Sequence, residues 1–145
     1  MRTIKFRAWE HNLNEIIPVD DIQFYRGDDI EIEGIKLKPK PRDEQPIIIN
    51  TRSAWRIADG EDVSLMQFTG LLDKNGKEIY EGDLVTIRQN GHISTIEFTD
   101  GCFMMVHKHK DLSGVENGGY EQVLGFLAVP VEVIGNIYEN PGLLK

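Results

Sequence analysis

The sequence predicts a mainly β protein rich in hairpins, with a C-terminal small SH3-like β-barrel and an N-terminal β lobe. Three observations carry that expectation. Short apolar runs alternate with polar residues at a period of two, as in Ile4, Phe6 and Ala8 against Lys5, Arg7 and Trp9. Tight-turn dipeptides punctuate the second half, with Asn75-Gly76, Asn90-Gly91 and Asp100-Gly101. Two of these turns, read independently, bring one apolar face into line.

The first lobe is placed at residues 1–62. Ile4 to Trp9 reads as a half-buried strand with a basic outer face, and Asn12 to Asn14 as a turn. Ile16-Ile17-Pro18-Val19 and Ile22-Gln23-Phe24-Tyr25 are further short apolar runs. A two-residue turn at Glu33-Gly34 sets Ile32 opposite Ile35, Glu31 opposite Lys36, Ile30 opposite Leu37 and Asp29 opposite Lys38. Apolar then meets apolar and acid meets base, and each such cross-strand pair contributes roughly 0.2–1 kcal/mol. A bulged strand is the alternative there, because Glu does not favour the positive φ of the turn. Residues 38–46 hold Pro39, Pro41 and Pro46 and read as an exposed connection, since proline cannot donate to a ladder. Ile47-Ile48-Ile49 resumes a buried strand, and Ser53 to Ile57 is expected to pair.

The second region is placed at residues 63–145. Leu65 to Thr69 is a strand, Asp73 to Gly76 a turn, and Glu81-Gly82-Asp83 a turn into the strand Leu84 to Arg88. Taken as a two-residue loop, Asn90-Gly91 sets Gln89 opposite His92, Ile87 opposite Ser94 and Val85 opposite Ile96. Asp100-Gly101 sets Phe98 opposite Phe103 and Ile96 opposite Met105. The shared face is Val85, Ile87, Ile96, Phe98, Phe103 and Met105, and a slip of one residue would turn all of it outward. Lys110 to Tyr120 reads as a Gly-rich loop, Glu121 to Val129 as ambiguous between loop and short helix, and Val131 to Tyr138 as a last strand. Gly135-Asn136 inside that strand predicts a bulge. Tyr80 and Tyr138 are expected to bury their rings and keep the hydroxyls near water.

Composition narrows the function classes. The chain has 145 residues and a formal net charge of −8, which repels a phosphate backbone unless the basic residues are segregated. Its single cysteine, Cys102, permits no internal disulfide and fits a reducing, cytoplasmic setting. No stretch approaches the ~18 apolar residues of a membrane span, and Met1 to Arg7 has no apolar signal core. No membrane partner is expected.

Three blocks together resemble the YopX family of phage and prophage proteins. They are Arg2 to Trp9 (RTIKFRAW), Phe68 to Asp83 (FTGLLDKNGKEIYEGD) and Val133 to Pro141 (VIGNIYENP). The resemblance implies a phage-borne cytoplasmic protein of bacterial origin. It implies no activity and supplies no catalytic residues.

The candidate chemistry is sparse. The predicted register gathers His92, His107 and His109 at one end of the meander, and three imidazoles could make an open site for zinc, nickel or copper. Lys5, Arg7 and Trp9 form a small basic and aromatic stripe of the kind that stacks and neutralises single-stranded nucleic acid. Lys36, Lys38 and Lys40 extend the basic character. Cys102 lies at the far end of the hairpin from the histidines, about 20 Å away, and lacks a base. Paired acids such as Asp20-Asp21 and Glu61-Asp62 read as solvated loop residues, and there is no P-loop or GxGxxG motif. No cofactor is expected. The expectation is a non-enzymatic protein-interaction or assembly module that self-associates or holds a protein partner. Nucleic-acid association through the basic strand face is the alternative.

Overall fold

The computed structural model describes residues 3–24, 30–32, 35–37, 47–50, 55–57, 63–87, 92–110, 116–122 and 130–144. These residues are almost entirely β, in fourteen strands and one 3-10 turn, Pro141–Leu144. The chain divides into two compact units, Lys5–Met66 and Gln67–Lys145 with Met1–Ile4.

The unit Lys5–Met66 opens with β1 (Phe6–Glu10) and β2 (Glu15–Pro18), an antiparallel pair with Ala8 opposite Ile17 and Glu10 opposite Glu15. Their connection closes with an Asn14 N–H donated to the Glu10 carbonyl at 2.8 Å, and Asn14 has φ +53°. Asn tolerates this left-handed conformation because its short amide can bond locally. On its other side β1 neighbours β8 (Val63–Leu72), which begins in this unit. Ala8 and Val63 are buried with Ile17, Val19, Ile22 and Leu65 packed around them. A second sheet orders β3 (Asp21–Phe24), β6 (Ile47–Asn50) and β7 (Trp55–Ile57), setting Ile22 opposite Ile49 and Ile48 opposite Ile57. The strands β4 (Ile30–Ile32) and β5 (Ile35–Leu37) pair in the expected register, Ile30 with Leu37, Glu31 with Lys36 and Ile32 with Ile35; residues 33–34 lie outside the described residues. The proline-rich stretch 38–46 lies outside the described residues.

In the unit Gln67–Lys145, the second half of β8 pairs with β9 (Glu78–Tyr80), Phe68 facing Tyr80 and Leu72 facing Glu78. A five-stranded antiparallel sheet follows. It is built from β10 (Asp83–Ile87), β11 (Ile93–Thr99), β12 (Cys102–Lys110), β13 (Glu116–Gln122) and β14 (Val131–Asn136). Its spatial order is β13-β12-β11-β10-β14. The β11–β12 hairpin has the predicted register, Phe98 opposite Phe103 and Ile96 opposite Met105. Asp100 and Gly101 both adopt positive φ, +51° and +79°, which a type I′ reversal needs. β14 carries the expected bulge. Leu84 faces Gly135 and Val85 faces Val133, which leaves Ile134 as the extra residue.

Three expectations need correction. Val85 faces Ser94 rather than Ile96, so the β10–β11 register differs by two residues from the one a tight Asn90-Gly91 loop gives. A shift of two keeps every side chain on the same face, so the apolar pattern cannot detect it. Residues 116–120, expected in a loop, pair along β12 instead, with Val106 opposite Tyr120 and His107 opposite Gly119. The long β12 offers a row of main-chain groups, and pairing them outweighs the weak strand preference of Gly118-Gly119. Phe98 shares the apolar face yet stays 49% exposed, because it sits beside the hairpin turn; its ring meets Phe103 edge-on at 5.0 Å. The uncertain segment 123–129 lies outside the described residues.

The core of this unit is Ile79, Val85, Ile96, Phe103, Met105, Val131 and Val133, with Leu71 and Ile87 against it. Burying each such side chain contributes roughly 1.5–3 kcal/mol, more than a typical single hydrogen bond at about 1 kcal/mol. Burial therefore drives assembly here, and the polar groups choose the geometry.

Candidate functional site

A network of buried polar groups lies in the block Phe68 to Asp83 and its meeting with β14. Asp73 follows β8 and is buried at 7% exposure. Its Oδ1 accepts the N–H groups of Asn75 (2.7 Å) and Lys77 (2.9 Å), an Asx-type turn that the Asp-x-Asn-Gly sequence favours. Gly76 closes it at φ +80°, donating its N–H to the Asp73 carbonyl at 3.0 Å. Asp73 Oδ2 accepts the buried N–H of Val133, 60 residues away, at 3.1 Å. Beside it the Lys74 N–H is donated to the Val131 carbonyl at 2.9 Å, and the Lys74 ammonium pairs with Glu132. Burial pushes the Asp73 carboxyl up. The N–H groups of Val133, Lys77 and Asn75, and the Lys77 charge, pull it further down, so its pKa lies below the ordinary value.

The next turn works in the same way. Asp83 is buried and its Oδ2 accepts the Tyr80 N–H at 2.8 Å. Gly82, at φ +78°, donates its N–H to the Ile96 carbonyl at 2.7 Å. Tyr80 is buried with its ring 5.5 Å from Phe68, and its hydroxyl is donated to Glu78 at 2.8 Å. Thr69 Oγ1 donates to the Ile79 carbonyl at 2.9 Å and accepts the Leu71 N–H at 3.2 Å. Glu81 is half-buried. Desolvation raises its pKa, hydrogen bonds from the Gln67 and Phe98 main chain oppose the rise, and the nearby Glu97 charge adds to it, leaving a net increase.

After β14, Asn136 Oδ1 accepts the N–H groups of Tyr138 (3.0 Å) and Glu139 (2.9 Å), while its amide is donated to the Glu139 carboxylate. Asn140 Oδ1 accepts the Asn136 N–H at 3.3 Å and lies so close to Gly135 that a Cβ there would meet it at 2.3 Å. Tyr138 is half-buried. These blocks hold the main chain of neighbouring strands and turns.

The residues singled out from the sequence fall as follows. Lys5 is exposed, and Arg7 is half-buried with its Nη2 3.8 Å from the Met66 sulfur. Trp9 is only 6% exposed and sits between buried Ala8 and Glu10, opposite Ile16. Ala8, Trp9 and Glu10 are all buried in succession, so β1 is covered on both faces there and its side chains do not follow the simple inside-outside alternation. Lys36 stands opposite Glu31 in the β4–β5 ladder; Lys38 and Lys40 lie outside the described residues. His92 is exposed just before β11. His107 and His109 are placed by backbone opposite Gly119 and Asn117, and their side chains lie outside the described residues. Among the described residues no cluster of three or more His, Cys, Asp or Glu could hold a metal ion. The Cys102 thiol is donated to the Thr99 carbonyl (3.6 Å) and approaches the Met104 sulfur at 3.4 Å, neither of which is a base. One contact that no sequence pattern signals is His11 Nε2 to Ser64 Oγ at 2.9 Å, made across 53 residues.

The model of the family described as YopX protein matches residues 5–145. The chain belongs to the YopX family. Among solved structures, this chain is similar to protein yopX from Bacillus subtilis at 19% identity and a TM-score of 0.53, over 100% of this chain and 98% of that one. It is also similar to protein EF1440 from Enterococcus faecalis at 23% identity and a TM-score of 0.48, over the whole of both chains. The Bacillus likeness shows a shared fold. No curated protein matches. Among the described residues, no helix is long and apolar enough to cross a membrane.

Proposed function

We propose that this YopX-family protein is a non-enzymatic interaction or assembly module of a phage or prophage, acting in the bacterial cytoplasm. The second unit is read as an SH3-like barrel-type domain that carries the module. One observation supports the reading above others. The polar side chains that distinguish the Phe68–Asp83 and Val133–Pro141 blocks, Asp73, Asp83 and Asn136, are buried and bonded to main-chain N–H groups. Such residues set the shape of a surface rather than perform chemistry on it. The family resemblance supplies the phage setting, and the single cysteine accords with a reducing compartment.

Light scattering of the purified full-length protein over a wide concentration range tests the proposal, together with a pull-down from lysate of the phage-bearing host. Self-association, or one partner retained in stoichiometric amount, is the expected outcome. A strict monomer with nothing retained overturns it.

A further inference from the structure

We propose that β13 is a self-pairing edge, through which two copies of this chain join in an antiparallel ladder centred on Gly119. This rests on the assembly reading above and names the surface and the partner. The five-stranded sheet has two terminal strands, β14 and β13. They are treated differently. Two main-chain groups of β14 are engaged by the Asp73–Gly76 turn. Lys74 donates its N–H to the Val131 carbonyl, and the Val133 N–H is donated to Asp73. Covering an edge in this way blocks pairing with another chain. Among the described residues, β13 is paired along one side only, to β12 from Met104↔Gln122 to Lys110↔Glu116. A seven-residue strand at the end of a sheet is a template for a further strand.

The sequence of β13 selects what fits. In an antiparallel ladder, residues whose N–H and C=O point at the partner alternate along the strand and sit opposite residues of the same kind. Two copies of one strand therefore pair only in registers where the two residue numbers sum to an even value. Of these registers, the one centred on Gly119 keeps all seven residues paired, since Gly119 is the midpoint of Glu116–Gln122. It sets Glu116 opposite Gln122, Asn117 opposite Glu121, and Gly118 opposite Tyr120, each twice. No acid meets an acid, although each chain carries a net charge of −8. Tyr120 of each copy crosses a glycine of the other, an arrangement that compensates glycine's weakness in strands. Centring on Glu121 instead would set the two Glu121 residues against each other.

Two substitutions with opposite expected effects test this in the full-length protein. Asn117→Lys places a cation opposite Glu121 twice and tightens the dimer; Asn117→Glu places an acid there twice and weakens it. Each change in dimer Kd is about two- to thirty-fold by sedimentation equilibrium, from cross-strand pair energies counted twice. A second readout uses mild oxidation in a Cys102→Ser background. Gly119→Cys forms a disulfide-linked dimer, because opposed Cα atoms lie about 4.5–5.5 Å apart, within disulfide reach. Asn117→Cys does not, since the two Asn117 positions lie four residues apart along the ladder, about 13 Å. Should Gly119→Cys fail to fold, the Asn117 pair decides alone. A dimer with the same Kd in both Asn117 variants overturns β13 pairing and leaves self-association through another surface standing. A monomer at every concentration removes both.

Discussion

Replacing Asp73 tests whether one carboxylate couples a turn to a strand 60 residues away. Asp73→Asn keeps the side-chain shape and an Oδ1 that can still accept the Asn75 and Lys77 N–H groups. Its Nδ2 then faces the Val133 N–H, donor against donor, where Oδ2 accepts at 3.1 Å. Val133 is buried, so water does not readily substitute, and an unsatisfied N–H of this kind costs about 1–3 kcal/mol. Asp73→Ala removes all three acceptor contacts. Asn75 and Lys77 are exposed and can be rehydrated, adding roughly 0.5–1.5 kcal/mol each to the cost. The expected losses are therefore about 1–3 kcal/mol for Asn and about 2–6 kcal/mol for Ala, read from urea unfolding at pH 7. Acid adds a second axis. The folded Asp73 carboxyl titrates below its ordinary value, near 3.9 when unfolded. Its stabilising contribution is full above about pH 4 and is lost as pH falls through the folded pKa. Protonated Asp73 resembles Asn, so the gap between wild type and Asp73→Asn closes on acidification. An Asn variant within ~0.5 kcal/mol of wild type at pH 7, or a gap unchanged down to about pH 2.5, would refute the tether.

Other substitutions probe the neighbouring elements. Glu81 has the opposite sign: its folded pKa is raised, so its contribution is present at low pH and lost as pH rises through the folded value. Glu81→Gln should gain stability relative to wild type between about pH 4 and pH 7; a thermal-melt series showing no such trend counts against its burial beside Glu97. Gly135→Ala forces Asn140 away from its bond with the Asn136 N–H, because a Cβ would meet Asn140 Oδ1 at 2.3 Å. A loss of about 1–3 kcal/mol is expected, and amide exchange at Asn136 should accelerate if the reasoning holds. Ile96→Ala empties the centre of the five-stranded sheet and should cost about 2–5 kcal/mol in chemical denaturation; a cost under ~1 kcal/mol would place Ile96 outside the core.

Legibility of the candidate site followed the range of the interactions. The turns at Asp73-Gly76 and Glu81-Asp83 are local, and their residue types announce them. What Asp73 and Glu81 reach is not local. Neither Val133 as a partner of Asp73 nor Phe98 as a partner of Glu81 follows from spacing, because nothing in a strand pattern says which distant main-chain group will lie alongside. Trp9 shows the converse. Alternation sets it on the same face as Lys5 and Arg7, yet it is buried together with its neighbours Ala8 and Glu10.

By itself the sequence determined the β class, the reversal at Asp100-Gly101 with its register, and which residues share the apolar face of the second unit. These depend on φ preferences of a few residues and on a side-chain period of two, both of which act within a handful of positions. Only the tertiary structure decided the β10–β11 register, the strand identity of 116–122, and the closing of the β14 edge by Asp73. A two-residue slide leaves every face unchanged, and a strand exists only where a neighbour supplies main-chain partners. Both choices are therefore made by packing and long-range hydrogen bonding, which a linear pattern does not encode.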